Sequence, residues 1–322
     1  MIKTFLKEHT IHKKLVPSLD YLFIIRPTLF LSVWVMVTIG MSSAQMHYND
    51  SPLWIATFSW KTLLIFLGLT FVCGSTFILN QITDQSSDKV NNKLFLVGKY
   101  ISEEKSQALS KYLLIAGLII LVIFNWFSAI ISSLIYLFWG ILYSSPPYNW
   151  KSRPVLGWFA NSIVGILLFI IGWGLVFKNH QSSPVIPFDI SMFFLILPYS
   201  LSFSSVALLT TLPDIKGDTS SGDNTFPIVF GKKLTLLISL IFIIIAFFIS
   251  IKNIDPIAST ATIVSLPFFF FAFFRGLEKD ILRAIRYPIF ILNFFVLSIY
   301  PWLFFPIALT FYISKYYYWH RF

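Results

Sequence analysis

The sequence predicts an all-α polytopic membrane protein of about nine transmembrane helices in a single domain. Three observations carry this. The chain of 322 residues is 57% hydrophobic and only 12% charged, against roughly 25% charged in an ordinary soluble domain. Its mean hydropathy is +0.77. Apolar runs close to the ~20 residues that a helix needs to cross a bilayer recur along its whole length.

The first run, residues 21–41, comes after a segment carrying Lys3, Lys7, Lys13 and Lys14. It has no small-residue cleavage site after it, so residues 1–18 are expected to be a retained cytoplasmic tail and not a signal peptide. Further runs cover residues 62–79, 112–124, 126–143, 155–177, 190–212, 234–251 and 257–274. The last begins at Tyr287 and is too long for one upright span; Pro301 inside it makes it either a kinked helix or a tight hairpin. No long Ser/Gly linker or low-complexity tail divides the chain, so residues 1–322 read as one membrane domain.

With the N-terminus inside, the basic residues fall on the cytoplasmic loops: Lys89, Lys93, Lys99 and Lys105, then Lys151 and Arg153, then Lys216, Lys232 and Lys233, then Arg275, Lys279, Arg283 and Arg286. The opposite loops carry little beyond Lys178 and Lys252, which satisfies the positive-inside rule. Topology thus accounts for the formal charge of +10, and nucleic acid is not an expected partner. Cys73 lies in an apolar run and is read as packing; one cysteine makes neither a disulfide framework nor a thiolate metal site. His9, His12, His47, His180 and His320 are scattered without the spacing of a zinc or haem site.

The acids carry more information, because a carboxylate beside hydrocarbon is costly unless paired. Asn80, Asp84 and Asp88 close the second run at intervals of four; on a helix such positions line one face. Asp214 and Asp218 close the sixth run at the same spacing, 130 residues further on, with Asp223 beyond them beside the turn at Gly222. The two pairs look like a parallel internal repeat. Like charges at i, i+4 repel, and a hard divalent cation relieves that repulsion. Magnesium bridges one or two protein carboxylates to substrate phosphate oxygens, so two aspartate pairs with lysines nearby suggest a diphosphate; solvated loop acids are the alternative.

These residues resemble the UbiA superfamily of membrane prenyltransferases, whose pattern is N-x-x-x-D-x-x-x-D after one helix and D-x-x-x-D after a later one. Asn80, Asp84, Asp88, Asp214 and Asp218 match it. The stretch from Asp214 through Thr225-Phe-Pro227 to Gly231 is similar to the family's segment from the second motif to Thr-x-Pro and a glycine. Tyr143-Ser-Ser-Pro-Pro-Tyr-Asn-Trp-Lys151 resembles the Tyr-Ser-x-Pro-Pro stretch of the homogentisate prenyltransferase and chlorophyll synthase branches, and Arg26-Pro27 the first-helix Arg-Pro. The chain departs after the first motif, where many relatives have Arg-Pro and residues 91–96 read Asn-Asn-Lys-Leu-Phe-Leu; Lys93 or Lys99 would supply the charge.

The resemblance implies about nine helices around a central cavity that opens to the cytoplasm and laterally to lipid. It implies Mg2+-dependent transfer of an isoprenyl group from a diphosphate donor to a lipophilic or aromatic acceptor; the expected location is the plasma membrane of a prokaryote. Asp84, Asp88, Asp214 and Asp218, helped by Asn80, would hold the metal, which assists departure of the diphosphate. Lys93, Lys151, Arg153 and Lys216 would grip its oxygens. Tyr143, Tyr148 and Tyr199 would face an allylic cation. Arg26 and Asn161 would contact substrate, and Asp223 the cap loop or the metal through water. Two other readings are carried: a membrane terpene cyclase, which shares the ionisation step, and a secondary transporter, against which the placement of the acids at helix ends argues.

Overall fold

The computed structural model describes residues 8–49, 58–91, 93–180 and 190–321, and for residues 49 and 178–180 the backbone alone. Lys3, Lys7 and Asn92 lie outside these residues, as do the side chains of Lys178 and His180.

The described residues form α1 (Thr10–Phe23), α2 (Phe30–Asn49), α3 (Trp60–Thr83), α4 (Gln85–Val90), α5 (Glu103–Phe124), α6 (Trp126–Ile135), α7 (Pro154–His180), α8 (Ile190–Thr210), α9 (Ile215–Ser220), α10 (Phe226–Phe230), α11 (Lys232–Lys252), α12 (Pro256–Arg275), α13 (Glu278–Ile299) and α14 (Phe304–Arg321). A π-helical segment, Tyr136–Ser144, continues α6. Nine of the described helices are long and apolar enough to cross a membrane, and the protein is an integral, multi-pass membrane protein of all-α class.

The polar residues at helix starts explain where the helices begin. Ser102 accepts from the Lys105 amide and opens α5 with Glu103 and Glu104 in its first turn. Asn125 accepts from the Ser128 amide, so α5 and α6 meet at one residue. Asp255 accepts from the amides of Ile257 and Ala258 and opens α12. Each satisfies donors that hydrocarbon would leave bare.

Neighbours pack in the order α3 on α5, α2 on α7, α8 on α11, α11 on α12 and α12 on α13. The α2–α7 crossing is the tightest. A Cβ at Gly172 would lie 1.9 Å from the Val37 carbonyl oxygen, and one at Gly40 would lie 2.1 Å from that of Phe169. The two backbones therefore touch, as membrane helices do where small residues meet. The surrounding core, with Val33, Met36, Leu168 and Trp173, is fully buried.

The structure alters the sequence reading at both ends. The first run does not form one helix over residues 21–41: α1 ends at Phe23, Arg26 has φ 50°, and Pro27 starts a new turn. A residue before proline is pushed out of the α region, so the chain breaks there and the spanning segment is Pro27–Tyr48. Of what reads as a tail, the half from Thr10 onward is helical. The second change concerns Pro301, where the hairpin prevails over the kink. Trp302 meets the rings of Phe58 and Phe66 near the start of α3, whereas Tyr317 stacks on Phe23 at 3.8 Å and shares a core with Ile78 near the end of α3. Hence α14 runs back along the bundle and meets α1: Arg321 bonds the buried Asp20 carboxylate, as does the Tyr317 hydroxyl.

Candidate active site

Both acidic motifs occupy breaks between a long helix and a short one. At the end of α3 the Asp84 amide still bonds the Asn80 carbonyl, but Asp84 itself, at φ −95° and ψ 8°, leaves the helix and α4 begins at Gln85. Asp214 stands in the same relation to α9. Asn80, Asp84 and Asp88 thus do not lie on one continuous helix, as their spacing suggests. Side-chain bonds join them: Asn80 Nδ2 donates to Asp84 Oδ2 at 2.8 Å, and the Arg26 guanidinium donates to Asn80 Oδ1 at 3.2 Å and to Asp88 Oδ2 at 2.7 Å.

The short helices α4 and α9 pack face to face, and three residues that the motif pattern does not single out make this contact. A Cβ at Gly217 would lie 2.5 Å from the Ser87 carbonyl oxygen and 2.3 Å from Asn91 Nδ2, so only glycine fits. The Asn91 side chain accepts from the Gly217 amide at 2.8 Å and donates to the Asp214 carbonyl at 3.3 Å. The Ser87 hydroxyl donates to Asp218 Oδ1 at 3.0 Å. Ser87 and Gly217 are themselves 130 residues apart, so the repeat interval pointed at this pair.

Cations interleave with the carboxylates. Lys93 Nζ lies 2.6 Å from Asp214 Oδ1 and 3.8 Å from Asp88 Oδ1. Lys151 contacts Asp84 and lies 3.5 Å from Asp223 Oδ2, and the Ser152 hydroxyl donates to Asp223. Burial pushes the Asp88 carboxyl up despite Arg26 and Lys93. Burial, and then the neighbouring Asp214, pushes Asp218 up to about 6. Burial lowers the Lys151 ammonium, but Asp84 and Asp223 more than offset it and the net direction is upward. The acids are thus crowded and the lysine stays charged, an arrangement that favours a ligand bringing both a cation and phosphate oxygens.

A cavity of about 160 Å³ opens beside Asn80, lined by Tyr143, Trp139, Asn161, Phe77 and Phe203. Asn161 is committed to its neighbours: Oδ1 accepts from Trp139 Nε1 at 3.0 Å and Nδ2 donates to the Gly157 carbonyl at 3.0 Å. It therefore fixes the cavity wall. On the other side of Arg26 lies a second hollow of about 340 Å³, lined by Lys93, Gln81, Leu96 and Tyr318.

Nine of the residues that the sequence singles out for the site, Arg26, Asn80, Asp84, Asp88, Lys93, Lys151, Asp214, Asp218 and Asp223, form this cluster, and Tyr143 and Asn161 line the cavity below it. Four do not join. Arg153 is exposed, and Lys216 is exposed on α9 over a separate depression with Lys232 and Glu278. Tyr199 also lies elsewhere: its hydroxyl donates to Asp255 at 3.0 Å, at the end of the bundle away from the motifs. Tyr148 is exposed.

The oxygen-only donor set suits magnesium and not a soft metal. Among the described residues no three His, Cys, Asp or Glu side chains form an all-protein metal cage. Magnesium seldom uses one, and completes its octahedron with water and substrate phosphate.

A family model described as the UbiA prenyltransferase family matches residues 32–299. The chain belongs to that family. It is 30% identical over 193 residues to the 2-acylphloroglucinol 4-prenyltransferase of Humulus lupulus, covering 56% of this chain and 45% of the relative. It is 27% identical over 208 residues to the protoheme IX farnesyltransferase of Protochlamydia amoebophila, covering 61% and 69%. The chain spans about half the length of the first of the curated relatives it matches. Its fold resembles the structure of a UbiA homolog from Archaeoglobus fulgidus bound to GPP and Mg2+, with a TM-score of 0.60 at 18% identity over 85% of this chain and 99% of that one. In this UbiA chain α1 and α14 lie outside the matched stretch, and so does Arg26.

Proposed function

We propose that the protein transfers an isoprenyl group from a diphosphate donor to a lipophilic aromatic acceptor with the help of Mg2+. The observation that carries this reading is the meeting of two aspartate pairs from distant parts of the chain, interleaved with Arg26, Lys93 and Lys151, over an apolar cavity. Asp84, Asp88, Asp214 and Asp218, with Asn80, are the residues that would hold magnesium. Bound there, the ion would act as a Lewis acid on the diphosphate leaving group.

The chain's own groups do the rest. Arg26, Lys93 and Lys151 exchange carboxylate partners for diphosphate oxygens and neutralise the charge that grows as the C1–O bond breaks. The bonding pair leaves with the diphosphate. The cavity aromatics face the allylic cation; each such contact contributes about 0.5–2 kcal/mol. A ring carbon of the acceptor then forms the new C–C bond to C1, and its proton passes to diphosphate or water. The basic residues around the motifs support a cytoplasmic location for this end of the bundle.

Purified protein in detergent is assayed for pyrophosphate release from dimethylallyl, geranyl and geranylgeranyl diphosphates, with and without phenolic acceptors and with Mg2+ or EDTA. Release that needs both Mg2+ and an acceptor is expected. Acceptor-free release yielding a cyclic hydrocarbon would replace transfer by cyclisation, and no release under any condition would remove the reading.

A further inference from the structure

Resting on the transferase reading, we infer that Arg321 is a positioning residue: through Tyr100 it holds the turn from Leu96 to Ile101, and so aims Lys93 at the diphosphate. Lys93 reaches Asp214 and Asp88 from the stretch between α4 and α5, outside any helix. Its side chain is 41% exposed, so close packing does not direct the ammonium. A lysine stem is flexible, and what fixes its reach is where the backbone is anchored.

The backbone is anchored on either side. The Lys93 amide donates to the Asp88 carbonyl at 3.0 Å. Three residues on, the chain closes a tight turn: the Tyr100 and Ile101 amides donate to the Leu96 carbonyl at 2.9 and 3.1 Å, and the Gly98 amide to that of Ile101 at 2.8 Å. Leu96, Val97 and Ile101 are buried in one core with Val16 and Phe23 of α1, Ile78 of α3 and Tyr317 of α14. The turn is thus bedded on α1 and α14, which the Asp20 carboxylate joins by accepting from both Tyr317 and Arg321. Arg321 also reaches the turn itself, its guanidinium carbon 3.9 Å from the centre of the Tyr100 ring; Lys99 Nζ stands 5.0 Å from the same ring. A planar guanidinium can bond a carboxylate and still lie on a ring, which the compact ammonium of a lysine cannot do. The stretch these contacts hold reaches the site, since Leu94 and Leu96 line the hollow beside Arg26 together with Lys93 and Tyr318 of α14. A shift of that stretch moves Lys93 with it, and an ångström of misplacement is enough to weaken a grip on the diphosphate.

The test is a set of double-mutant cycles. Purified wild type, Arg321→Lys, Tyr100→Leu and Tyr100→Phe are titrated with geranyl S-thiolodiphosphate in MgCl2, each with Lys93 intact and with Lys93→Ala. Partition of this one ligand into detergent cancels in every ratio of affinities. Lys93→Ala is expected to weaken binding by ~10-fold, the loss of a bond to a charged group. Arg321→Lys and Tyr100→Leu are expected to weaken it by ~3-fold or more, and Tyr100→Phe, which keeps the ring, to bind like wild type. With Lys93→Ala in place none of the three is expected to weaken binding further, because the effect runs through that lysine; a purely structural loss would be the same in both backgrounds. Equal losses with and without Lys93, wild-type affinity in Lys93→Ala, or wild-type affinity in both Arg321→Lys and Tyr100→Leu would overturn the inference and leave the transferase reading standing. Failure of wild type to bind the thiolodiphosphate would sink the two together.

Discussion

Asp218 shows how one residue ties the site to pH. Burial, and then Asp214, lift its carboxyl to about 6, above the ordinary value of about 4. The fold thus favours the protonated form, and the stability this contributes is full below pH ~4 and lost as pH rises through ~6. A cation between the carboxylates reverses the preference, since it needs the acid ionised. Mg2+-dependent donor affinity is therefore expected to fall by up to ~10-fold per pH unit below about 6, one proton being displaced per ion. Calorimetry across pH 5 to 8 checks this, and Asp218→Asn is expected to bind more weakly overall and to lose the acid limb; an unaltered limb would assign the titration elsewhere.

At the scale of elements, the pairing of α4 with α9 is what makes two remote motifs one site. It depends on Gly217, where any side chain would meet Asn91 and the Ser87 carbonyl. Overpacking of this size costs ~1–3 kcal/mol, and displacing a catalytic group by about an ångström costs on the order of 100-fold in rate. Gly217→Ala is expected to elute as a folded, monodisperse protein while pyrophosphate release drops by ~100-fold; wild-type turnover would show that the contact is dispensable. The spans and acid pairs were legible because hydropathy and i, i+4 spacing are local properties. The Ser87–Asp218 and Asn91–Gly217 bonds join residues more than a hundred positions apart, and no local rule reports them. The break at Arg26 could have been read from Pro27, since the proline stands in the sequence; the apolar run across it masked the signal. Asp84 likewise reads as helical by spacing, and only the geometry shows that the helix pauses there.

For the whole molecule, α14 and α1 form a clasp outside the part that matches the family model. Arg321 bonds the buried Asp20 and lays its guanidinium 3.9 Å from the centre of the Tyr100 ring. Removing one partner of a buried pair costs ~3–5 kcal/mol because the other charge is left bare. Arg321→Leu is therefore expected to lower the thermal midpoint in detergent clearly, and Asp20→Asn in the same chain to recover part of the loss. Equal midpoints for wild type and Arg321→Leu would mean that the clasp bears no weight. The clasp also orders biogenesis. A ribosome delivers Asp20 roughly three hundred residues before Arg321. While the residues between them are being made, that carboxylate must wait at the bilayer, solvated by water or headgroups. The first helix thus cannot finish docking until α14 has been made, and insertion machinery that releases the chain early would release it unlatched.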